Sequence, residues 1–314
     1  MSWPAWHAGE RAVQRRVGVE AQLAAVGPRV LRSFMPEQHR EFFEHLPFVI
    51  AGTVDAAGQP WASVLAAPPG FITSPDPKAL VFQAQPLPGD PLNETLADDA
   101  PIGLLGLEPH TRRRNRANGI VQHVTASGFS VQIEQSFGNC PKYIQARKPV
   151  YLHGNGGRHP DIHSSDFLDV EALRMISKAD TLFIATAYPR GGEAAGAAGG
   201  VDVSHRGGKP GFVQVAADGT LTMPDFLGNY FFNTLGNIAL NPTAGLLFID
   251  FDNGDLLYLA ASAEIVWEGA EVRAFEGAQR LLKFKVLAMR RVVASLPLRW
   301  GMPSLSPFLE RMGH

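Results

Sequence analysis

The residues best equipped for chemistry fall in one stretch from Val201 to Pro242, VDVSHRGGKPGFVQVAADGTLTMPDFLGNYFFNTLGNIALNP. Arg206 and Lys209 are its cations, Ser204 and Asp225 add polar groups, and Asn229 and Asn233 carry amides able to hydrogen-bond a polyol chain. A phosphate needs a cationic side chain beside a helix N-terminus with free backbone N–H groups, and this stretch offers both. His205 reads two ways: as an acid or base beside a bound ligand, or as a structural hydrogen-bonding group. Without a diagnostic motif, the plain alternative is a β-hairpin with an exposed basic turn and a capped helix.

A second cationic group is HTRRRNR, from His110 to Arg116. Such a run is usually a solvated face. On a strand, alternation would point Arg112 and Arg114 one way and Arg113 the other, which would let Arg112 and Arg114 reach a site. Cys140, just before Pro141, reads as a reactive thiol at a helix N-terminus or as a buried inert one. Lys142 and Tyr143 read as ligand contacts or as packing. His153, His159 and His163 match no common metal spacing, so no metal site is expected. No residue is assigned a catalytic role.

Turn and period signals place these residues on elements. Asp218-Gly219 marks a hairpin between strands at 211–215 and 220–223. A helix is expected from Gly228-Asn229 to Leu240, stopped by Asn241-Pro242. Further strands are expected at 48–54, 60–67, 102–107, 119–124, 129–134, 181–187, 255–261 and 263–267. Helices are expected at 12–25, from Pro36 through Leu46, at 92–97, from Pro141 to Arg147, at 166–177 and at 271–282. Residues 284–296 read equally as strand or helix, and 191–200 as a flexible Gly/Ala loop.

Composition sets the outer limits. A chain of 314 residues with 45% hydrophobic content can bury a sizeable core and suits about two domains. Its 32 glycines and 24 prolines suit a turn-rich β fold. The net charge of -2 gives no argument for nucleic-acid or anionic-membrane binding. A single cysteine makes no internal disulfide, so a reducing, cytoplasmic setting is expected. The N-terminus lacks an apolar signal core, and no run is long enough to span a membrane. There is no G-x-G-x-x-G nicotinamide fingerprint.

The two halves repeat. Residues 59–72 (QPWASVLAAPPGFI) parallel 200–213 (GVDVSHRGGKPGFV), 89–96 (GDPLNETL) parallel 228–235 (GNYFFNTL), and 102–107 (IGLLGL) parallel 244–249 (AGLLFI). The spacings from Gln59 to Gly200, Gly89 to Gly228 and Ile102 to Ala244 are 141, 139 and 142 positions. Three ordered matches at near-constant spacing argue for two copies of one β-barrel packed as an internal pseudo-dimer. The polar equipment is divided: Ser204-His205-Arg206 replaces Ser63-Val64-Leu65, while the arginine run belongs to the first half. A site across the interface is the simplest account.

SHRGGKPGF, PDFLGNYFFNTLGNIALNP and GLLFIDF, with HTRRRNRANG and QSFGNCPKYIQ in the first half, resemble the pyridoxamine 5′-phosphate oxidase-like FMN-binding split-barrel proteins, in their tandem-barrel bacterial group. The resemblance covers roughly residues 36–270. It implies a mainly β fold with α, as two tandem split β-barrels forming an internal pseudo-dimer. The units are an extension at 1–35, a first barrel at 36–150, a linker at 151–165, and a second barrel with a C-terminal helical segment at 166–314. It implies FMN, held by Arg206 as the strand arginine. The helix 229–237 lacks the family's Lys or Arg, so its N-terminal backbone and Asn229 substitute, or a cation comes from the Arg112–Arg116 cluster. The function implied is an FMN-dependent oxidoreductase acting on a small molecule, the alternative being a flavin- or haem-binding protein without turnover. A separate reductase would donate electrons, no nucleic acid or membrane partner is implied, and a homodimer is allowed.

Overall fold

The computed structural model describes residues 5–152, 160–188 and 200–310. The chain opens with three helices, α1 (Ala8–Arg16), α2 (Glu20–Val30) and α3 (Glu37–Glu44). Gly18, at φ 79°, separates α1 from α2 where one helix over 12–25 is expected.

The first sheet follows: β1 (Phe48–Val54), β2 (Pro60–Ala66), β3 (Ile72–Thr73), β4 (Ala79–Phe82), helix α4 (Leu92–Thr95), β5 (Pro101–Glu108), β6 (Arg113–Thr125) and β7 (Gly128–Gly138). Two short strands, β8 (Pro149–Tyr151) and β9 (Ile162–Ser165), and helix α5 (Val170–Lys178) lead to the second. It comprises β10 (Thr181–Tyr188), β11 (Gly200–Gly207), β12 (Gln214–Val215), β13 (Leu221–Phe226), helix α6 (Asn233–Leu240), β14 (Thr243–Ile249), β15 (Leu256–Val266), helix α7 (Ala270–Ala274) and β16 (Ala278–Val292). The described chain ends with β17 (Leu298–Trp300) and α8 (Pro307–Glu310).

The sheets share one strand order. The first runs β2-β1-β5-β6-β7-β4-β3 and the second β11-β10-β14-β15-β16-β13-β12, with β9 added to β16. The protein is thus mainly β with some helices. Where barrels are expected, neither sheet closes: each path is open, and no pairing among the described residues joins its first strand to its last.

Each sheet has its own core, and a third core lies between them, built from Phe48, Ile50, Val64 and Leu105 on one side and Phe183, Val203, Leu247 and Tyr258 on the other. The approach is close and reciprocal. A Cβ on Gly103 of β5 would lie 2.4 Å from the Val201 carbonyl of β11, and one on Gly245 of β14 would lie 2.3 Å from the Pro60 carbonyl of β2. Any larger residue at either position would push the sheets apart.

Four other expectations are corrected. The helix expected at 228–240 begins only at Asn233, because Tyr230 and Phe232 take left-handed conformations (φ 63° and 62°). The helix expected at 141–147 is absent, because Tyr143 is left-handed at φ 65° and interrupts the turn. The helix expected at 271–282 shrinks to α7, and the expected C-terminal helical segment is chiefly strand. There Leu282, Phe284 and Val286 face inward between Lys283 and Lys285, a period of two. His153, His159 and the loop 191–199 lie outside the described residues.

Candidate functional site

A cavity of about 970 Å³, counting its open mouth, lies on the seam between the sheets. Its floor comes from β6 of the first sheet and from β11, β13 and β16 of the second. The loop before α6 and the segment around Asn139–Tyr143 form its walls.

The phase of β6 decides which arginines enter. Arg112 takes a left-handed conformation (φ 56°) at the end of a 3-10 turn, so the strand starts at Arg113. Arg113 is exposed, while Arg114 and Arg116 point into the cavity. Arg112 therefore does not reach the site. Its guanidinium donates to the carbonyls of Ile144, Ser304 and Leu305 and ties the C-terminal segment to the seam.

Of the other expected residues, Ser204, His205, Arg206, Asp225, Asn229 and Asn233 all line the cavity. Lys209 lines an adjoining cavity of about 610 Å³, counting its open mouth, instead, because β11 ends at Gly207 and the chain turns away. Asn229 has no place at a helix N-terminus; its side-chain oxygen accepts from Phe231 N–H within the loop. Cys140 also lines the cavity, at no helix start.

Four guanidiniums meet here. Arg116 donates to Asp202 (2.8 Å), Asn233 (3.0 Å) and the Ser204 hydroxyl (2.5 Å), and Thr234 donates to that same hydroxyl (3.1 Å). Behind it, Asn233 donates to the buried Glu10 of α1. Arg206 and Arg280 flank Asp225 at 3.3 and 3.7 Å. Arg114 donates to the Cys140 carbonyl (2.7 Å) and to His205, and it meets no carboxylate among the described residues. Asp202 and Asp225 are the carboxylates in ion-pair contact with these four cations, while burial and then Asp202 push the Glu10 carboxyl well up, so it offsets little of their charge.

The imbalance appears in the titration behaviour. Burial, with Arg206 and Arg116 adding repulsion and Cys140 offsetting part of it, pushes Arg114 down to about 9. It remains cationic at neutral pH, but its charge is poorly compensated. Burial first, then Arg114 and Arg206, holds His205 well below the usual histidine range, so its imidazole is neutral. Arg116 Nε, Arg206 Nε and Arg280 Nε are buried without a partner. Buried donors in that state are costly unless an acceptor reaches them. Four guanidiniums around one open cavity fit an anion with several acceptor oxygens.

The mouth differs in character from the floor. Tyr143, Phe226, Tyr230 and Phe232 line it, and the Tyr143 hydroxyl donates across to the Leu227 carbonyl at 3.0 Å. Tyr143, Tyr230 and Phe232 are three of the seven non-glycine residues with positive φ among the described residues. Strained backbone gathered at one cavity marks a functional constraint. Asp202, Thr234, Glu10 and Arg280 were not singled out from the sequence. For Arg280 the signal was present, in the period-two pattern from Leu282 to Val286.

Among the described residues no helix is long and apolar enough to cross a membrane, and no group of three or more acidic, histidine or cysteine side chains could hold a metal.

The family model of pyridoxamine 5′-phosphate oxidase matches residues 35–153. No curated protein matches the chain. HupZ of group A Streptococcus is 17% identical, over 38% of this chain and 90% of its own, with a TM-score of 0.30. A candidate pyridoxamine 5′-phosphate oxidase from Lactobacillus delbrueckii is 18% identical, over 34% and 95%, at 0.26. HutZ, the heme storage protein of Vibrio cholerae, is 14% identical, over 45% and 99%, at 0.24.

Proposed function

Given that the chain belongs to the pyridoxamine 5′-phosphate oxidase-like family, through residues 35–153, we propose that the seam cavity binds FMN and that the protein is an FMN-dependent oxidoreductase acting on a small molecule. One observation carries this reading: four guanidiniums face two carboxylates, and Arg114 has no acidic partner among the described residues. A terminal phosphate supplies the missing negative charge and acceptor oxygens for the guanidiniums that line the cavity.

In this reading Arg114, Arg206 and Arg280 bind the phosphate. Arg116 orients the Ser204 hydroxyl and is itself held by Asp202 and Asn233. The aromatic mouth takes the ring system and limits the access of water. Bound flavin would supply the electron-transfer chemistry; these residues supply position and charge. His205, neutral and held by Arg114, orients rather than carrying a charge. Electrons come from a separate donor. The two sheets are copies of one split-barrel unit, over 36–150 and 166–314, packed as an internal pseudo-dimer. Their shared strand order and the reciprocal contacts of Gly103 and Gly245 support this.

The test is a spectrum. Purified protein mixed with FMN and desalted should retain the flavin bands, and loss of both bands would remove the reading. Bleaching of the bound flavin by a reductase and a nicotinamide donor, with reoxidation by an acceptor, separates an enzyme from a binding protein without turnover. Retention of haemin but not FMN would favour the haem-binding alternative.

A further inference from the structure

The candidate site has a counterpart position in the molecule, because register as well as strand order coincides between the sheets. Across the first sheet, Val64, Ile50, Leu105 and Arg116 stand opposite one another in a row. Across the second, the same row reads His205, Phe183, Leu247 and Tyr258. Tyr258 therefore stands where Arg116 stands, and Val64 where His205 stands. Neighbouring positions follow: Leu256 matches Arg114, Ser63 matches Ser204, and Leu65 matches Arg206. Even the β-bulges coincide, at Asn118/Gly119 in the first sheet and Ala260/Ala261 in the second.

At the counterpart the three matched cations, those of Arg114, Arg116 and Arg206, are gone. Leu256, Leu65 and Val64 are completely buried and belong to apolar core. Tyr258 is buried too, and its hydroxyl donates to Asp90 Oδ2 at 2.8 Å. Asp90 is matched to Asn229 by the repeat. It also accepts from the backbone N–H groups of Leu92 (2.8 Å) and Val64 (3.2 Å). The counterpart thus holds a carboxylate satisfied by its neighbours, with apolar side chains where the guanidiniums would be. A buried carboxylate repels an anion, the unpartnered Ser63 hydroxyl there carries no charge, and Arg290 beside Tyr258 is already paired with Glu94.

We infer that the duplicated fold keeps one anion-binding position of two: each chain binds one phosphate-bearing ligand, and the counterpart has been converted into core locked by Tyr258 and Asp90. The inference rests on the phosphate-site reading above. Because β6 and β11 belong to one chain, a single chain completes the site.

Equilibrium dialysis of FMN against full-length protein of known concentration tests it. The expected result is saturation at one FMN per chain. Two equivalents per chain would overturn the inference and leave the phosphate-site reading intact. No saturable binding would overturn both. A double variant, Arg114→Ala with Arg206→Ala, gives an independent reading, with its fold checked by circular dichroism. It should lose saturable binding altogether. One full equivalent retained by that variant would show that the counterpart position is used, against the inference.

Discussion

Arg114 Nη1 lies 3.3 Å from His205 Nδ1, joining a strand of the first sheet to a strand of the second at the floor of the cavity. A guanidinium only donates, so Nδ1 accepts and the imidazole proton sits on Nε2. Burial first, and then this contact, make His205 an acid-sensitive point. Its folded pKa is depressed from about 6.5, so above that pH it is neutral in both folded and unfolded chains. As pH falls below about 6.5 the unfolded chain takes up a proton that the folded chain refuses, and stability drops by up to about 1.4 kcal/mol per pH unit. His205→Gln should flatten the fall in Tm between pH 7 and 5. His7 and His39, also depressed by burial, act alike in both proteins and cancel in the comparison. Parallel Tm profiles would remove this role.

Arg114→Ala should weaken FMN binding more than Arg206→Ala. Sequence reasoning places the phosphate anchor at Arg206, but Arg206 is already paired with Asp225 whereas Arg114 has no carboxylate. A charge-assisted hydrogen bond is worth about 1.5–3 kcal/mol, so Arg114→Ala should cost roughly tenfold to a hundredfold in Kd. Arg206→Lys should recover only part of the Arg206→Ala loss, since the forked donor pair is gone. Flavin fluorescence quenching measures each variant; unchanged affinity in Arg114→Ala would sink the assignment.

Asp225→Asn should act in opposite directions on folding and binding. The carboxylate sits between Arg206 and Arg280 and offsets their charges. Removing its charge should lower stability by about 1–3 kcal/mol, below the roughly 3–5 kcal/mol of a fully buried pair because Arg206 reaches solvent. The freed guanidiniums should bind FMN more tightly, so added FMN should raise the Tm of the variant more than that of the wild type. Weaker FMN binding by the variant would contradict this balance.

Arg147→Met should destabilise the fold without changing FMN affinity. Arg147 pairs with Asp180, both nearly buried, and lies 3.8 Å above the Phe251 ring, a contact that Met retains in part. Breaking one side of such a pair costs about 3–5 kcal/mol. Adding Asp180→Asn should restore part of it, because the stranded carboxylate is gone. Urea unfolding of the single and double variants reads both effects, and equal losses would refute the pairing argument.

Local sequence was enough for the strands that carry the repeat. Alternation and turn residues mark β1 and β2, and the apolar run at 102–107 marks β5. Asp218-Gly219 turns as expected, with Gly219 at φ 82° and the Asp218 carboxylate accepting from Thr220 N–H. The spacings of the repeat hold in the strand registers, because pairing partners keep the same positions in both sheets. Seven of the nine expected binding residues line one cavity, six because they follow one another along β11, β13 and the loop into α6, and Arg114 from β6.

What sequence alone determined about this protein is its period, its turns and the matched segments of its two halves, all legible in short runs of residues. Tertiary structure decided which side chains meet. One left-handed residue, Arg112, sets the phase of β6 and turns Arg114 and Arg116 inward while Arg112 itself is spent on the C-terminal segment. Arg280 joins the site only because β16 pairs with β13 and places it opposite Asp225. The cavity's excess of positive charge exists on no single element. It arises where glycines at 103 and 245 let two sheets approach, bringing together guanidiniums far apart in the chain, and burial then makes their uncompensated charge costly.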